Sequence, residues 1–219
     1  MITSIENLSS FLHSYHKLWG EDFSLDIGNV EVNIPAVLQI FYSKIGGLTL
    51  VKDKLANGNR TPLSAQDYIA SPNEVKSIGG EVEFIWENQG NFSVRTSSDG
   101  EDPVVYSNWL YVVGESDLEY SIVCDTLSHF LITFSLQEAV MSSKYLSTIG
   151  VSSVTQINIA LEDLWLNGFY VCGEPTHNFY YSVELECIIM KLDKEIWIGS
   201  NSNRIDNFLD SSLNVNRIH

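Results

Sequence analysis

Two histidines stand three residues apart near the start of the chain, a spacing that places both on one face of a helix. In that arrangement His13 and His16 could face a single metal ion. The sequence offers no evident acidic or thiol partner beside them. We therefore interpret both as structural side chains and expect no metal site.

Other signs of catalytic chemistry are equally sparse. Cys124, Cys172 and Cys187 form no CxxC pair and are odd in number, which fits neither a zinc site nor a disulfide framework. We expect three buried or half-buried free thiols in a reducing compartment. The sequence contains no GxGxxG, Walker, HExxH or GxSxG motif. We therefore expect a protein that is not an enzyme and that carries no cofactor.

Charge is the strongest signal in the composition. Twelve lysines and arginines stand against 28 aspartates and glutamates in 219 residues, a net charge of 12 − 28 = −16. This balance argues against nucleic acid and against an anionic membrane as partners, and it favours a basic protein or merely solubility. No signal peptide and no apolar segment of spanning length is evident, so we expect a cytoplasmic protein.

The acidic residues are concentrated in the middle of the chain. Ten of them lie between residues 81 and 125, where Arg95 is the only base, whereas the first 60 residues hold six acids and five bases. A solvated acidic surface is one interpretation, and a patch that steers a basic partner is the other. Under the second interpretation, the predicted partner contacts are Glu83, Asp99, Glu101, Asp102, Glu115 and Asp117.

Aromatic residues near this stretch could supply affinity. Trp86, Trp109 and Tyr111 are candidates for the centre of an interface, although such residues are more often part of the core. Asp102 has a second interpretation as well, because a carboxylate before Pro103 can accept bonds from nearby backbone N–H groups.

Hydrophobic periodicity and turn signals define the elements that must position these residues. Thr3 and Glu6 suggest a capping box, Pro35 suits a first helical turn, and Gly90 suits a turn that needs a positive φ. Predicted helices cover 4–19, 35–45, a short segment from 71, 126–141, 157–168 and 203–209. Predicted strands cover 48–51, 82–86, 91–95, 109–113, 169–172, 179–183, 187–191 and 195–198.

These elements predict one α+β domain over residues 1–219, of which 1–30 form an N-terminal helical extension. Strands that adjoin in sequence favour hairpins over crossovers. The expected architecture is a mainly antiparallel twisted sheet flanked by N-terminal, middle and C-terminal helices.

Two adjacent motifs carry a family resemblance. The segment FIWENQG at 84–90, followed by DPVVY at 102–106, resembles the central signature of the SUKH superfamily, the Smi/Knr type. Weaker matches agree in order over roughly residues 30–210. They are IPAVL at 34–38, the Gly pair at 46–47, Ser-Pro at 71–72, LSHFL at 127–131 and IWIG at 196–199.

This resemblance implies a role in protein binding. Many bacterial members of the superfamily are immunity proteins that neutralise the toxin domain of a polymorphic toxin, often a nuclease, and eukaryotic relatives are regulatory or scaffold proteins. The resemblance thus implies an immunity protein that occludes a basic cognate toxin stoichiometrically. The alternative is a regulatory interaction module without a toxin partner.

Overall fold

A long helix in the middle of the chain, α3 (Leu127–Met141), is the element around which the others pack. It begins after Thr126, whose hydroxyl accepts a hydrogen bond from the His129 backbone N–H at 3.2 Å. This confirms the helix predicted over 126–141. The structure is a computed structural model that describes residues 1–18, 20, 22–27, 31–49, 62–87, 89–108, 120–149, 157, 159–166, 168, 170–171, 174–175, 177–192, 195–205 and 215–218.

The strands before α3 form one antiparallel sheet, here called the first sheet. The strands are β1 (Tyr68–Ile69), β2 (Lys76–Ile78), β3 (Glu81–Trp86), β4 (Ser93–Ser97), β5 (Val105–Ser107) and β6 (Ser121–Cys124). Their order in the sheet is β1-β3-β4-β5-β6, and β2 pairs with the first half of β3, along the same edge that β1 pairs with.

The strands after α3 form a second antiparallel sheet and one separate pair. They are β7 (Tyr145–Ile149), β8 (Glu162–Trp165), β9 (Tyr170–Val171), β10 (Glu174–Pro175), β11 (His177–Ser182), β12 (Cys187–Leu192), β13 (Glu195–Ser200) and β14 (Val215–Arg217). The order in the second sheet is β14-β7-β13-β12-β11-β8, and β9 and β10 pair separately. The hairpin predicted around residues 192–195 is confirmed, because Leu192 pairs with Glu195.

The chain is therefore an α+β protein with antiparallel sheets, as predicted, although the strands form two main sheets instead of one. Strand β12 shows how the second sheet divides the core. Ile188 and Met190 face the main apolar cluster around α3, whereas Cys187 and Ile189 face a smaller cluster on the opposite side. Successive side chains of a strand point to opposite faces, so this apolar run covers both.

Two N-terminal helices, α1 (Ile5–Tyr15) and α2 (Ala36–Ile45), pack against α3. The apolar stripe of α1 lies in the main cluster, so this segment, predicted as an extension, belongs to the core packing. Tyr15, at the end of α1, connects the end of α3 to strand β13 of the second sheet. Its hydroxyl donates to the Gly199 carbonyl at 2.8 Å and lies 2.7 Å from the Ser143 Oγ.

A close approach explains the glycine at this contact. A Cβ at Gly199 would lie 2.5 Å from the Ser143 Oγ and 2.7 Å from the Val140 carbonyl oxygen. Only glycine therefore allows β13 to approach the end of α3 this closely.

Several predicted elements are wrong, and each shows a competing constraint. The predicted helix at 157–168 contains β8, whose Leu164 is buried and whose Trp165 Nε1 donates to Thr133 of α3 at 2.9 Å. The predicted strand at 48–51 begins in a 3-10 turn, Gly46–Thr49, and residues 50–51 lie outside the described part. Ser71 does bond to the Glu74 carboxylate, but this closes a turn instead of starting a helix.

Smaller shifts occur at the chain ends. The N-cap of α1 is Ser4, not Thr3, and its side chain accepts from the Asn7 N–H at 3.2 Å. At the C-terminal end a helical turn begins at Arg204, and residues 206–214 of the predicted terminal helix lie outside the described part. The predicted strand at 109–113 lies outside it as well. Within the described residues, no helix combines the length and apolar character that crossing a bilayer requires.

One ionisable group is buried inside α3. Glu138 has no solvent-accessible surface, and its carboxylate accepts backbone N–H bonds from Ala65 at 2.5 Å, Gln66 at 2.9 Å and Asp67 at 3.4 Å. Burial raises the pKa of Glu138 to about 8, and Asp67 adds to that shift, while the three N–H bonds oppose it. The side chain thus fixes the segment that leads into β1.

This burial predicts a pH dependence of stability. The folded pKa of Glu138, about 8, exceeds its ordinary value of 4.5, so the folded state binds this proton more tightly. Its stabilising contribution is complete below pH 4.5 and is lost as the pH rises through 8. Chemical denaturation should show the wild type losing free energy of unfolding relative to Glu138→Gln by up to about 1.4 kcal/mol per pH unit in this window. Parallel pH profiles of the two proteins would contradict the prediction.

Candidate protein-binding surface

The turn at 98–102, between β4 and β5, contacts the start of α2. The Ala36 N–H donates to the Gly100 carbonyl at 3.3 Å, and the Val37 N–H donates to the Glu101 carbonyl at 3.0 Å. The first N–H groups of a helix have no partner within the helix, and here the turn supplies acceptors for two of them. This contact fixes the turn relative to α2.

The same turn also contacts the start of α3. The half-buried carboxylate of Asp102 accepts from the Ser128 backbone N–H at 2.7 Å and from the Ser128 hydroxyl at 2.6 Å. A negative charge at a helix N-terminus is favourable because it faces the positive end of the helix dipole. The expectation that Asp102 can accept nearby N–H bonds before Pro103 is confirmed.

Three other acids of this region point toward solvent. Asp99, Glu101 and Asp125 are exposed, and none of them makes an ion pair with another described residue. Asp99 accepts a hydrogen bond from the Asn33 side-chain amide at 2.7 Å. We call Asp99, Glu101, Asp102 and Asp125 the acidic corner.

Asp102 and Asp125 both act electrostatically on His129, at the start of α3. Burial lowers the pKa of His129 below its usual value, while the Gly168 carbonyl, Asp125 and Asp102 oppose that shift. The ring Nε2 lies 2.6 Å from the Gly168 oxygen, to which it donates. Both carboxylates are therefore close enough to the start of α3 to act on the same ring.

Glu83 has a different role from the one predicted. Only 7% of it is exposed, and its carboxylate accepts from the Trp86 Nε1 at 2.7 Å and from the Ser93 hydroxyl at 2.8 Å, and pairs with Arg95 at 3.1 Å. Burial alone would raise the pKa of Glu83, but these bonds hold it below its usual value. A carboxylate satisfied within the chain is not free to meet a partner, so the prediction for Glu83 is corrected.

Aromatic and basic side chains surround Glu83 on the outer face of the first sheet. The Lys76 ammonium lies 4.4 Å from the Trp86 ring centre, and the Arg95 guanidinium lies 4.1 Å from that of Tyr120. Trp86, a candidate interface residue, is half-buried here. The other candidates Trp109 and Tyr111, and the predicted contacts Glu115 and Asp117, lie outside the described residues.

The structure thus brings Asp99, Glu101 and Asp102 together and separates Glu83 from them. Arg95, which pairs with Glu83 across the strands, stands four residues before Asp99 along β4 and the turn. At about 3.4 Å per extended residue, this stretch of backbone spans at most about 14 Å. Sequence reasoning did not single out Asp125, although its place just before the Thr126 cap was a usable signal.

The other residues with potential for chemistry have separate surroundings. The His13 Nδ1 donates to the Ser9 carbonyl at 2.8 Å. The half-buried His16 accepts from the Asn201 amide at 3.2 Å, and the burial of its ring lowers its pKa to about 4. Cys124 and Cys187 are buried free thiols, as expected, and Cys172 lies outside the described residues. Among described residues, no three metal-ligating side chains come together.

Comparison with known protein families, with curated proteins and with solved structures finds no match for this chain. The SUKH resemblance therefore stays a prediction that depends on the motifs at 84–90 and 102–106.

The first of these motifs forms a tight turn between β3 and β4. Gly90 has φ of +76° and donates its N–H to the Glu87 carbonyl at 2.8 Å. The Glu87 carboxylate accepts the N–H groups of Gln89 at 2.9 Å and Asn91 at 3.0 Å, while Asn88 lies outside the described residues. The turn therefore depends on a residue that tolerates positive φ, as predicted for Gly90.

Substitution of Gly90 should affect folding. Gly90→Val places a β-branched side chain at positive φ, and we expect thermal or chemical denaturation to show a loss of about 1–3 kcal/mol. A Cβ at this position would meet no atom within 4 Å, so backbone strain is the only cause. Gln89→Val, an exposed neighbour without positive φ, is the control. Unchanged stability with lost partner binding would instead identify the turn as contact surface.

Asp102 and Glu101 allow a direct comparison of capping and surface charge. Asp102→Ala removes two bonds at the start of α3 and should lower the free energy of unfolding by about 0.5–2 kcal/mol. Glu101→Ala removes an exposed side chain and should change it by less than about 0.5 kcal/mol. Urea denaturation of both variants measures the difference. Equal values would show that the Asp102 bonds contribute nothing to stability.

Proposed function

We propose that this chain is an immunity protein of the SUKH type, which binds a basic toxin domain stoichiometrically and acts without catalysis. The observation that carries the proposal is the acidic corner, in which the exposed Asp99 and Glu101 lie on a turn fixed by two helix N-termini and the exposed Asp125 lies just before one of those helices. The resemblance of the 84–90 and 102–106 motifs supports the same role.

The charge of the corner is suited to a basic partner. Asp99, Glu101 and Asp125 have no cationic partner among the described residues, so their field extends into solvent. A nuclease toxin presents a positive surface to nucleic acid, and these carboxylates would occupy the positions of phosphate groups. Electrostatic steering of this kind raises association rates by about 10- to 1000-fold and weakens with salt.

The rigidity of the corner favours tight binding. Binding through a loose loop costs ordering entropy, whereas the turn at 98–102 is already fixed by bonds to Ala36, Val37 and Ser128. In this proposal Asp102 positions the turn, and Asp99 and Glu101 make the contacts. Trp86 and Tyr120, on the outer face of the same sheet, are within the reach of an interface that extends from the corner.

Charge reversal at the corner tests this interface. We expect Asp99→Lys with Glu101→Lys to slow association with the toxin domain encoded beside the gene by about tenfold, and to flatten its salt dependence. Stopped-flow kinetics at several salt concentrations is the measurement. The control is Glu162→Lys with Asp163→Lys on β8, two exposed acids whose replacement gives the same net charge, −16 + 4 = −12.

The outcomes separate the site from the function. If both double variants slow association equally, only the total charge matters and the corner is not the interface. Growth protection by the wild type against the co-expressed toxin tests the immunity role independently. A chain that neither binds nor protects against a neighbouring toxin would favour the regulatory alternative.

A further inference from the structure

A cavity of about 290 Å³ lies where α3 meets the two sheets. One wall is a stripe of α3 that includes Phe130, Phe134 and Met141, residues that share a helix face because they are four and seven positions apart. Val123 of the first sheet and Met190 of the second complete the deep part, and all five are buried.

The mouth of the cavity has a different chemistry. Gln66 is exposed, and Asp67 and Gln137 are half-buried, so polar groups gather where the cavity meets solvent. Phe92 and Trp197 are also half-buried in the lining and add aromatic surface, while the buried Ser107 and His177 are polar members of the wall. A mainly apolar lining with a few polar groups is the usual arrangement of a small-molecule site.

We propose that this cavity binds a small, flat, two-ring aromatic molecule that is neutral or positively charged, with its rings against the α3 wall and its polar group at the mouth. The volume is roughly twice the 150 Å³ of a cavity that holds one benzene ring. It is also close to the lower limit of about 300 Å³ for ligand pockets. The proposal does not depend on the toxin partner.

Charge sets the preference among such molecules. The whole chain carries −16, which disfavours the approach of an anion. An ammonium or hydroxyl group at the mouth can bond to the side-chain amide oxygens of Gln66 and Gln137.

The residues at the mouth are held in place by hydrogen bonds within the chain. Gln66 and Asp67 donate their backbone N–H groups to Glu138, the residue that follows Gln137 on α3. Because these bonds fix one rim of the opening to the wall, binding requires little ordering of the chain.

The methionines give a direct readout. The chain has three, of which Met141 and Met190 line the cavity while Met1 is 76% exposed. Isotope-labelled methionine methyl groups should be followed by NMR during titration with naphthylmethylamine, naphthalenemethanol and naphthoate. We expect saturable shifts at Met141 and Met190 with the amine and the alcohol, weaker shifts with naphthoate, and an unchanged Met1 signal.

Two variants test whether the cavity is the site. Val123→Phe fills the deep part and should weaken binding of the amine by at least about tenfold. Its control is Ile122→Phe, the adjacent residue on β6, which points to the opposite face and is 52% exposed. Should Val123→Phe fail to fold, Gln137→Trp blocks the mouth from a half-buried position.

Each outcome is decisive. No methionine shift at millimolar probe, shifts that include Met1 equally, or equal affinity in the filled and control variants would overturn the cavity as a binding site. Naphthoate binding as tightly as the amine would overturn the assigned ligand charge. None of these results depends on a toxin, so they are distinguishable from failure of the proposed immunity function.

Discussion

Burial of α3 on nearly every side is the constraint on which this structure depends. A helix without a solvent face must be surrounded, and α1, α2 and both sheets together provide that environment. The single carboxylate inside this helix then needs partners of its own. Glu138 finds them in three successive backbone N–H groups, and this requirement fixes the path of the chain into β1.

The ends of the helices determine where acidic residues are useful. At the start of α3 a carboxylate stabilises the fold, and Asp102 takes that position. Its neighbours Asp99 and Glu101 are carried on the same turn but face solvent. One short acidic segment therefore combines a structural charge with charges that are available for binding. This combination explains why acidic composition alone does not distinguish an interface from a scaffold.

The sequence predicts best where the signals are local. Pro35 and the glycine pair at 46–47 bound α2, Thr126 caps α3, and the apolar runs around residues 192–195 form the hairpin. The helix predicted at 157–168 fails because Ile157, Leu161 and Leu164 match a helical spacing, whereas β8 is held by pairing with β11. That pairing depends on residues far along the chain, so the sequence around residues 157–168 gives no signal of it.

The residues of the candidate site also differ in how well the sequence predicts them. Asp102 before Pro103 is readable because its role is tied to a motif. Glu83 is misread because Ser93, Arg95 and Trp86 reach its carboxylate only after β3 and β4 pair. The cavity cannot be predicted from the sequence, since its walls come from α3 and from strands of both sheets, which are distant along the chain.

The contacts of the N-terminal helix have a consequence for biosynthesis. Ile2 bonds to Leu164, and the Tyr15 phenol bonds to Gly199, 184 residues further along the chain. At roughly 5–20 residues per second, the ribosome needs on the order of 10 to 40 s to supply that partner. During this interval the apolar stripe of α1 is without its final neighbours and is open to chaperones. Helix α1 is therefore synthesised long before the partners that complete its native contacts.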